Sequence, residues 1–335
     1  MEYRRLGQAG VKVSAIGFGS WVTFGKQVDL KLADQLVGQA LDLGIQFLDT
    51  ADVYAQGAAE EILGQVLGKH RRESIVLATK CYGEMGKGPN DRGLSRKHIL
   101  EACHASLRRL RTEVIDLYQC HRHDPETPLD EVIGAMDTLV QQGKVHYWGV
   151  SQWTAVQIVD TVHRARATHR VAPSSNQPIY NLMNRSLEID VLRTCEQMGL
   201  GIVVYSPLGQ GILTGKYSGG KVPPGTRAAD RESAPFMQKR MTSENFSRAD
   251  ELAKVARGVG LTAGQLALAW CLRFPAVTSA IVGARSKDQL VENAAAAGVK
   301  LAPETEARLE EIFGSAPHDQ YSGLRIGYGH EPEGW

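Results

Sequence analysis

The chain has 335 residues, 43% of them hydrophobic and 22% charged, with a formal net charge of +1. That length fits one large α/β barrel or two ordinary domains. The near-neutral balance gives no reason to expect a nucleic acid or an anionic membrane as partner. Five cysteines, at 81, 103, 120, 195 and 271, are odd in number and widely spaced. They contain no CxxC pair and indicate neither a disulfide framework nor a zinc site. Reduced thiols and a cytoplasmic location are the expectation.

Met1-Glu2-Tyr3-Arg4-Arg5 runs into no apolar segment, so no secretory signal is expected there. No apolar run approaches the roughly 18 residues of a membrane helix, and no membrane insertion is expected. Residues 1–13 suit a hairpin turning at Gln8-Ala9-Gly10 and closing the bottom of a barrel. Strand-like runs then follow at Val13–Gly17, Ile45–Asp49, Ser74–Thr79, Val114–Gln119, Val145–Val150, Ala172–Asn176, Gly201–Tyr205 and Ser279–Val282. All are short and almost wholly apolar, as strands buried on both faces should be. Helical periodicity fills the gaps, in Leu32 to Leu43, in Ser95 to Leu110 with Ser95 as N-cap, and in Leu129 to Val140.

Eight strands each followed by a helix predict a parallel sheet with right-handed crossovers. Closure gives a (β/α)8 TIM barrel; the alternative is an open doubly wound sheet. No Pro/Ser-rich linker divides the chain. The expected organisation is therefore one domain over 1–335, with an irregular tail from about 317. Two long segments, 83–93 and 216–245, follow the third and seventh strands. They fall on the C-terminal face, where barrel active sites are built.

Four polar residues stand at or just after neighbouring strand ends: Asp49, Tyr54, Lys80 and His121. Each alone reads as a cap, a surface cation or a packing ring; together they make a workable acid site. A tyrosine is a poor acid at neutral pH unless its phenolate is stabilised, and a buried ammonium beside it lowers its pKa. Lys80 would fill that role, with Asp49 holding its charge. His121 would orient a substrate carbonyl and Tyr54 would protonate it. His121-Arg122-His123 has no evident third partner for a metal, and none is expected. Side chains cannot deliver hydride, so a cofactor must.

At these residues the sequence resembles the aldo-keto reductase superfamily, most of all its branch of voltage-gated potassium channel beta-subunit-like proteins. The resemblance spans roughly residues 3–313. It rests on Gly19-Ser20-Trp21-Val22-Thr23-Phe24-Gly25, Leu48-Asp49-Thr50-Ala51-Asp52-Val53-Tyr54, Arg92-Gly93-Leu94-Ser95-Arg96-Lys97-His98-Ile99, Tyr205-Ser206-Pro207-Leu208 and Gly283 through Gln289-Leu290-Val291-Glu292-Asn293. It implies a (β/α)8 barrel that binds NADPH extended across its mouth. Gly17-Phe18-Gly19 lacks the third glycine of a Rossmann fingerprint, in keeping with that.

By the resemblance, Asp49, Tyr54, Lys80 and His121 are the catalytic four. Ser151, Gln152 and Gln177 would hold the nicotinamide carboxamide, with Asp49 nearby, and Tyr205 would stack on the ring. Ser206, Pro207, Leu208, Gly209 and Lys216 would hold the pyrophosphate. Ser20, Trp21 and Gln27 would meet the cofactor or the substrate side of the mouth. Gly283, Arg285, Gln289, Glu292 and Asn293 would surround the adenosine, and Arg227, Arg285 and Lys216 supply charge for a 2′-phosphate. Many relatives carry arginine where this chain has Gln289.

The channel-subunit branch commonly has Asn in place of His121 and Pro in place of His123. The histidine restores the pattern of the active reductases. The expected function is therefore NADPH-dependent reduction of an aldehyde or ketone. The alternative is an NADPH-binding regulatory or channel-associated subunit with slow turnover. Trp21, Phe24, Tyr82, Trp153 and Tyr180 would give an aromatic substrate wall beside His121. Arg122, His123 and the 83–93 loop would form a polar rim. The partner is a small-molecule carbonyl compound, and the resembling branch includes tetramers, so a homo-oligomer fits.

Overall fold

The computed structural model describes residues 1–21, 24, 28–230, 234 and 237–314. Gln27 and the tail expected to be irregular from about 317 lie outside the described residues. Two short strands, β1 (Tyr3–Arg5) and β2 (Lys12–Ser14), pair antiparallel. Eight more follow: β3 (Ile16–Gly19), β4 (Phe47–Asp49), β5 (Val76–Cys81), β6 (Ile115–Cys120), β7 (Val145–Val150), β8 (Ser175–Asn176), β9 (Gly201–Val204) and β10 (Val277–Val282). These close into a barrel in the order β10-β3-β4-β5-β6-β7-β8-β9, and every pairing is parallel.

Helices cover the outside: α1 (Leu30–Asp42), α2 (Ala58–Leu67), α3 (Arg96–Leu110), α4 (Leu129–Gln141), α5 (Ala155–Ala167) and α6 (Val191–Met198). After β9 come α7 (Ser243–Gly258) and α8 (Ala263–Cys271), and after β10 come α9 (Lys287–Ala294) and α10 (Pro303–Phe313). Ser95 caps α3 as expected, accepting from the His98 N–H at 3.2 Å. Reciprocal capping boxes, Thr154 with Gln157 and Thr262 with Gln265, start α5 and α8. Among the described residues no helix is long and apolar enough to cross a membrane.

Alternation along the strands separates two cores. Phe47, Ala78, Leu117, Val203 and Ile281 face the lumen and pack with Leu6 and Val13 of the hairpin, so the hairpin plugs the bottom of the barrel. Leu48, Cys81, Tyr118, Cys120, Trp148 and Val282 belong to the larger cluster under the helices. Burial of Leu6 and Val13 contributes about 1.5–3 kcal/mol each. The hairpin meets the β8–β9 side so closely that a Cβ on Gly7 (φ +60°) would lie 2.3 Å from the Gly199 carbonyl oxygen. Only glycine fits there.

The strand expected over Val13–Gly17 needs correction. Val13 belongs to the hairpin, and the barrel strand begins at Ile16. The chain reverses purpose at Ala15, where the Ser14 hydroxyl donates to the Ile16 carbonyl at 2.7 Å. The run over Ala172–Asn176 shortens to two paired residues, because Pro173 has no N–H to give a ladder.

Behind the fifth strand, the Thr79 hydroxyl donates to Glu60 of α2 at 2.5 Å. Glu60 is also paired with Arg109 of α3 at 2.7 Å. This triad, with Thr79 and Glu60 buried and Arg109 partly exposed, ties β5 to its two covering helices.

Candidate active site

Asp49 ends β4 in register with Gly19 of β3 and Ala78 of β5, and Lys80 on β5 is in register with Gln119 of β6. Strand alternation sends Asp49, Lys80 and Gln119 to the lumen side. Tyr54 opens a single 3-10 turn over Tyr54–Gly57, in which Ala55 and Gln56 take left-handed φ of 49° and 52°. His121 follows β6, its N–H bonded to the Cys81 carbonyl at 2.9 Å.

The Lys80 ammonium is sealed from solvent. It donates to Asp49 Oδ1 at 2.6 Å, to the Thr50 carbonyl at 2.8 Å and to the Tyr54 hydroxyl at 3.2 Å. Those three bonds match its three protons. Burial works against its charge, but Asp49 and Tyr54 outweigh burial and raise its pKa, so it stays an ammonium. The second Asp49 oxygen accepts from Gln177 at 2.9 Å and from Gln119 at 3.5 Å. Ser151 fixes Gln177 in turn, its hydroxyl donating to the Gln177 carbonyl at 2.8 Å.

Tyr54 departs from the sequence expectation. Its pKa is raised, because burial of the phenolate outweighs the opposing pull of Lys80. The phenol therefore keeps its proton across the working range. His121 stands nearly perpendicular to Tyr54, ring centroids 5.7 Å apart. Burial first, then Lys80 and Arg122, hold its pKa well below the usual value, so the imidazole is neutral and carries one N–H donor.

These groups open onto a cleft of about 1860 Å³. Trp21, Tyr82, Trp153, Ser151, Gln152, Gln177, Tyr205, Ser206, Pro207 and Leu208 line it together with Asp49, Tyr54 and His121. So do Lys216, Arg227, Gly283, Arg285, Gln289, Glu292 and Asn293. Gln152, at a left-handed φ of 61°, bonds to the Tyr205 hydroxyl. Asn181 donates to the Ser206 carbonyl at 3.0 Å, and Gln210 to the Ser206 hydroxyl at 2.9 Å. Arg227 bonds to Gln210 and lies over the Trp21 ring at 5.6 Å, joining the long loop after β9 to the loop after β3. Burial lowers the Lys216 pKa to about 8, with Arg227 and Arg285 adding to the fall. Burial and Arg285 likewise lower that of Arg227. Lys216, with the charges of Arg227 and Arg285 acting on it, and Arg227, with that of Arg285, make a cluster that fits a polyanion such as a dinucleotide phosphate. Gln289 accepts from the Arg285 N–H at 2.8 Å, and Glu292 accepts from the Thr262 hydroxyl at 2.6 Å.

Several expected residues stand elsewhere. Ser20 is buried behind the floor, its hydroxyl donating to Thr50 at 2.8 Å. Gly209 is buried and does not reach the cleft surface. Phe24 is 2% exposed and packs edge-on against Phe18 at 5.8 Å, so it is core and no cleft wall. Tyr180 stacks on Trp270 at 5.0 Å and bonds to Glu188 and Arg273 under the barrel wall. The 83–93 loop closes on itself through Asp91, whose carboxylate accepts from the Gly88 N–H at 2.7 Å, and it adds nothing to the cleft lining. Among the described residues no group of three His, Cys, Asp or Glu could hold a metal ion. Gln119 and Gln210 escaped the sequence reading. Both lie in apolar or Gly-rich surroundings, and the left-handed φ of Gln210, 59°, leaves no mark in the sequence.

The structure is a parallel (β/α)8 barrel whose cleft, at the C-terminal ends of its strands, holds the cluster of Asp49, Tyr54 and His121 around Lys80 and, further along, the cations Lys216, Arg227 and Arg285. The chain belongs to the aldo/keto reductase family, whose model matches residues 15–313. Members of this family characteristically bind NADP(H). The chain is 40% identical over 322 residues to a probable voltage-gated potassium channel subunit beta of Oryza sativa subsp. japonica, covering 95% of this chain and 98% of the relative. The Arabidopsis thaliana protein of the same description gives the same identity and coverage. A putative voltage-gated potassium channel subunit beta of Schizosaccharomyces pombe is 39% identical over 327 residues, with 95% and 94% covered.

Proposed function

We propose that this NADPH-associating barrel reduces an aldehyde or ketone to the alcohol. The observation that carries the reading is the Lys80 ammonium bridging the Asp49 carboxylate and the Tyr54 hydroxyl, with neutral His121 beside them. NADPH, when bound, would supply the hydride that the side chains cannot. Tyr54 gives its proton to the carbonyl oxygen as general acid. Lys80 stabilises the phenolate left behind, and Asp49 keeps Lys80 charged. The His121 N–H orients the carbonyl and shares the negative charge that develops on its oxygen. Tyr54 then regains a proton from water, and the balance is closed.

Ser151, Gln152 and Gln177 line the cleft and would hold the carboxamide, and the Tyr205 ring would stack on the nicotinamide. Lys216, Arg227 and Arg285 would meet the phosphates, beside Ser206, Leu208, Gln289, Glu292 and Asn293. The cation cluster supports NADPH over NADH.

The relatives' names favour a second reading and back it better than they back turnover. In it the chain is an NADPH-binding regulatory subunit, channel-associated and slow. Both readings bind cofactor and differ in turnover. The test is oxidation of NADPH against a panel of aldehydes and ketones, with Tyr54→Phe run alongside. Steady turnover that Tyr54→Phe loses supports the reductase. Tight NADPH binding with no turnover over a broad panel supports the regulatory subunit.

A further inference from the structure

Two lysines of the cleft region are treated in opposite ways by their surroundings. Lys80 spends its three protons on Asp49, Thr50 and Tyr54 and is held as an ammonium. Lys216 lines the cleft further along. Its Nζ rests on bare backbone, since a Cβ on Gly211 (φ +97°) would lie 2.6 Å from it. The Tyr217 ring centroid is 5.4 Å away. No carboxylate among the described residues acts on its charge. The charges that do act are those of Arg227 and Arg285, which add to burial in lowering its pKa to about 8. Arg227 is itself bonded to Gln210 and lies over Trp21, so it acts on Lys216 through its charge and not as a free donor.

An ammonium has no lone pair, but a neutral amine is a nucleophile. With a pKa of about 8, about one Lys216 side chain in ten is neutral at pH 7; for an ordinary lysine the share is about one in 2,500. A lysine set beside other cations in this way is the arrangement that forms imines with carbonyl compounds. The same charges choose the class of compound. An anion bound beside Lys216 would favour its ammonium again and remove the nucleophile, so the compound must be uncharged. An aldehyde carbon is less crowded and more electrophilic than that of a ketone.

We propose that Lys216 of the cofactor-free barrel is a reversible covalent site for uncharged aldehydes. The Nζ lone pair forms a bond to the aldehyde carbon. The two hydrogens of the amine leave with the carbonyl oxygen as water, and a C=N bond remains. The step is a condensation and needs neither oxidant nor reductant; water reverses it. An imine at Lys216 would stand where the cofactor phosphates are expected, so aldehyde and NADPH compete for the empty barrel. The inference goes beyond the reductase reading and does not depend on turnover.

The test equilibrates the full chain, free of cofactor, with dilute benzaldehyde, traps the imine with borohydride and locates the benzyl group by peptide mass spectrometry. At pH 7 the occupancy of Lys216 should exceed that of any other lysine by at least about tenfold, as its share of neutral amine requires. That occupancy should climb through about pH 8 and level off by about pH 9.5, while ordinary lysines go on climbing toward about 10.4. Saturating NADP⁺ should suppress it. Arg227→Gln removes one of the charges and should lower the occupancy at pH 7 about threefold or more, with a thermal melt to show that the variant is folded. In a second measurement, benzaldehyde is added before NADPH. Quenching of protein fluorescence by NADPH should then develop slowly in the wild type, as the imine hydrolyses, and at once in Lys216→Arg. Labelling spread evenly over the lysines overturns the proposal. So does Lys216 labelling that NADP⁺ leaves unchanged or that still climbs above pH 9.5. Equal rates of quenching in the two proteins overturn the competition with cofactor.

Discussion

Lys80 and Asp49 form an ion pair of 2.6 Å in which the two side chains are 0% and 3% exposed. A pair sealed this way is tolerated because each charge answers the other; removing one strands its partner. Lys80→Met should destabilise the protein by about 3–5 kcal/mol in urea unfolding. The double variant Asp49→Asn/Lys80→Met should recover part of that loss, since no uncompensated charge remains. A double variant no more stable than Lys80→Met would show that the pair acts through packing.

Tyr54→Phe removes the proton and keeps the ring. Turnover should fall by about 10²-fold or more, while quenching of protein fluorescence by NADPH persists. The pH profile follows from the two shifts. Tyr54 is raised and stays protonated, and His121 is lowered and stays neutral. At saturating NADPH the wild-type kcat/KM for the carbonyl compound should therefore be flat from about pH 6 to pH 9, with no limb at the ordinary histidine value near 6.5. A limb near that value, lost in His121→Asn, would mean that the imidazole is charged in the working enzyme.

Lys216 gives the cofactor end its own pH dependence. With a pKa of about 8, it is charged below that pH and neutral above it when no phosphate is bound. NADPH affinity should therefore weaken as pH rises through about 8, with proton uptake on binding near that pH. Lys216→Arg stays charged, so its affinity should lack this limb. Calorimetry in buffers of different ionisation enthalpy would count the protons. Equal slopes in the two proteins would place the titrating group elsewhere.

Asp52 is buried, and its pKa is raised to about 8, first by burial and then by Glu60. The folded state thus binds a proton that the unfolded state has released above about pH 4. Stability from this group is present at low pH and lost as pH rises toward about 8. Asp52→Asn mimics the protonated form and keeps the oxygen that accepts from the Val53 N–H at 2.6 Å. Its Tm should exceed that of the wild type by an amount that grows from about pH 5 to pH 8 and then levels off. A constant difference would mean that titration of Asp52 is not the cause.

Much of this was legible in the sequence because barrel strands are buried on both faces and read as unbroken apolar runs. Once eight such runs imply a closed parallel sheet, Asp49, Lys80 and His121 must converge, since each ends a neighbouring strand. The same apolar continuity hid the joint at Ala15, where the hairpin passes into the barrel, because residues on both sides of it are buried. Lumen and helix-facing positions also look alike in sequence. Gln119 therefore passed as strand filler, although it reaches Asp49. Phe24 and Tyr180 read as cleft walls because an aromatic near a strand end does not declare which side it packs. The proton affinity of Tyr54 was misjudged for another reason. The charges around it can be named from the sequence, but the extent of its desolvation belongs to the folded cavity.

The triad of Thr79, Glu60 and Arg109 stands back to back with Lys80 on the same strand. Selection for a new carbonyl substrate would then act on more than the cleft. Changes at Glu60 or Arg109, which meet no ligand, would shift the backbone of β5 and with it the distance from ammonium to phenol. On the reductase reading, the adaptable positions extend into the scaffold, and a library confined to the mouth of the barrel would miss them.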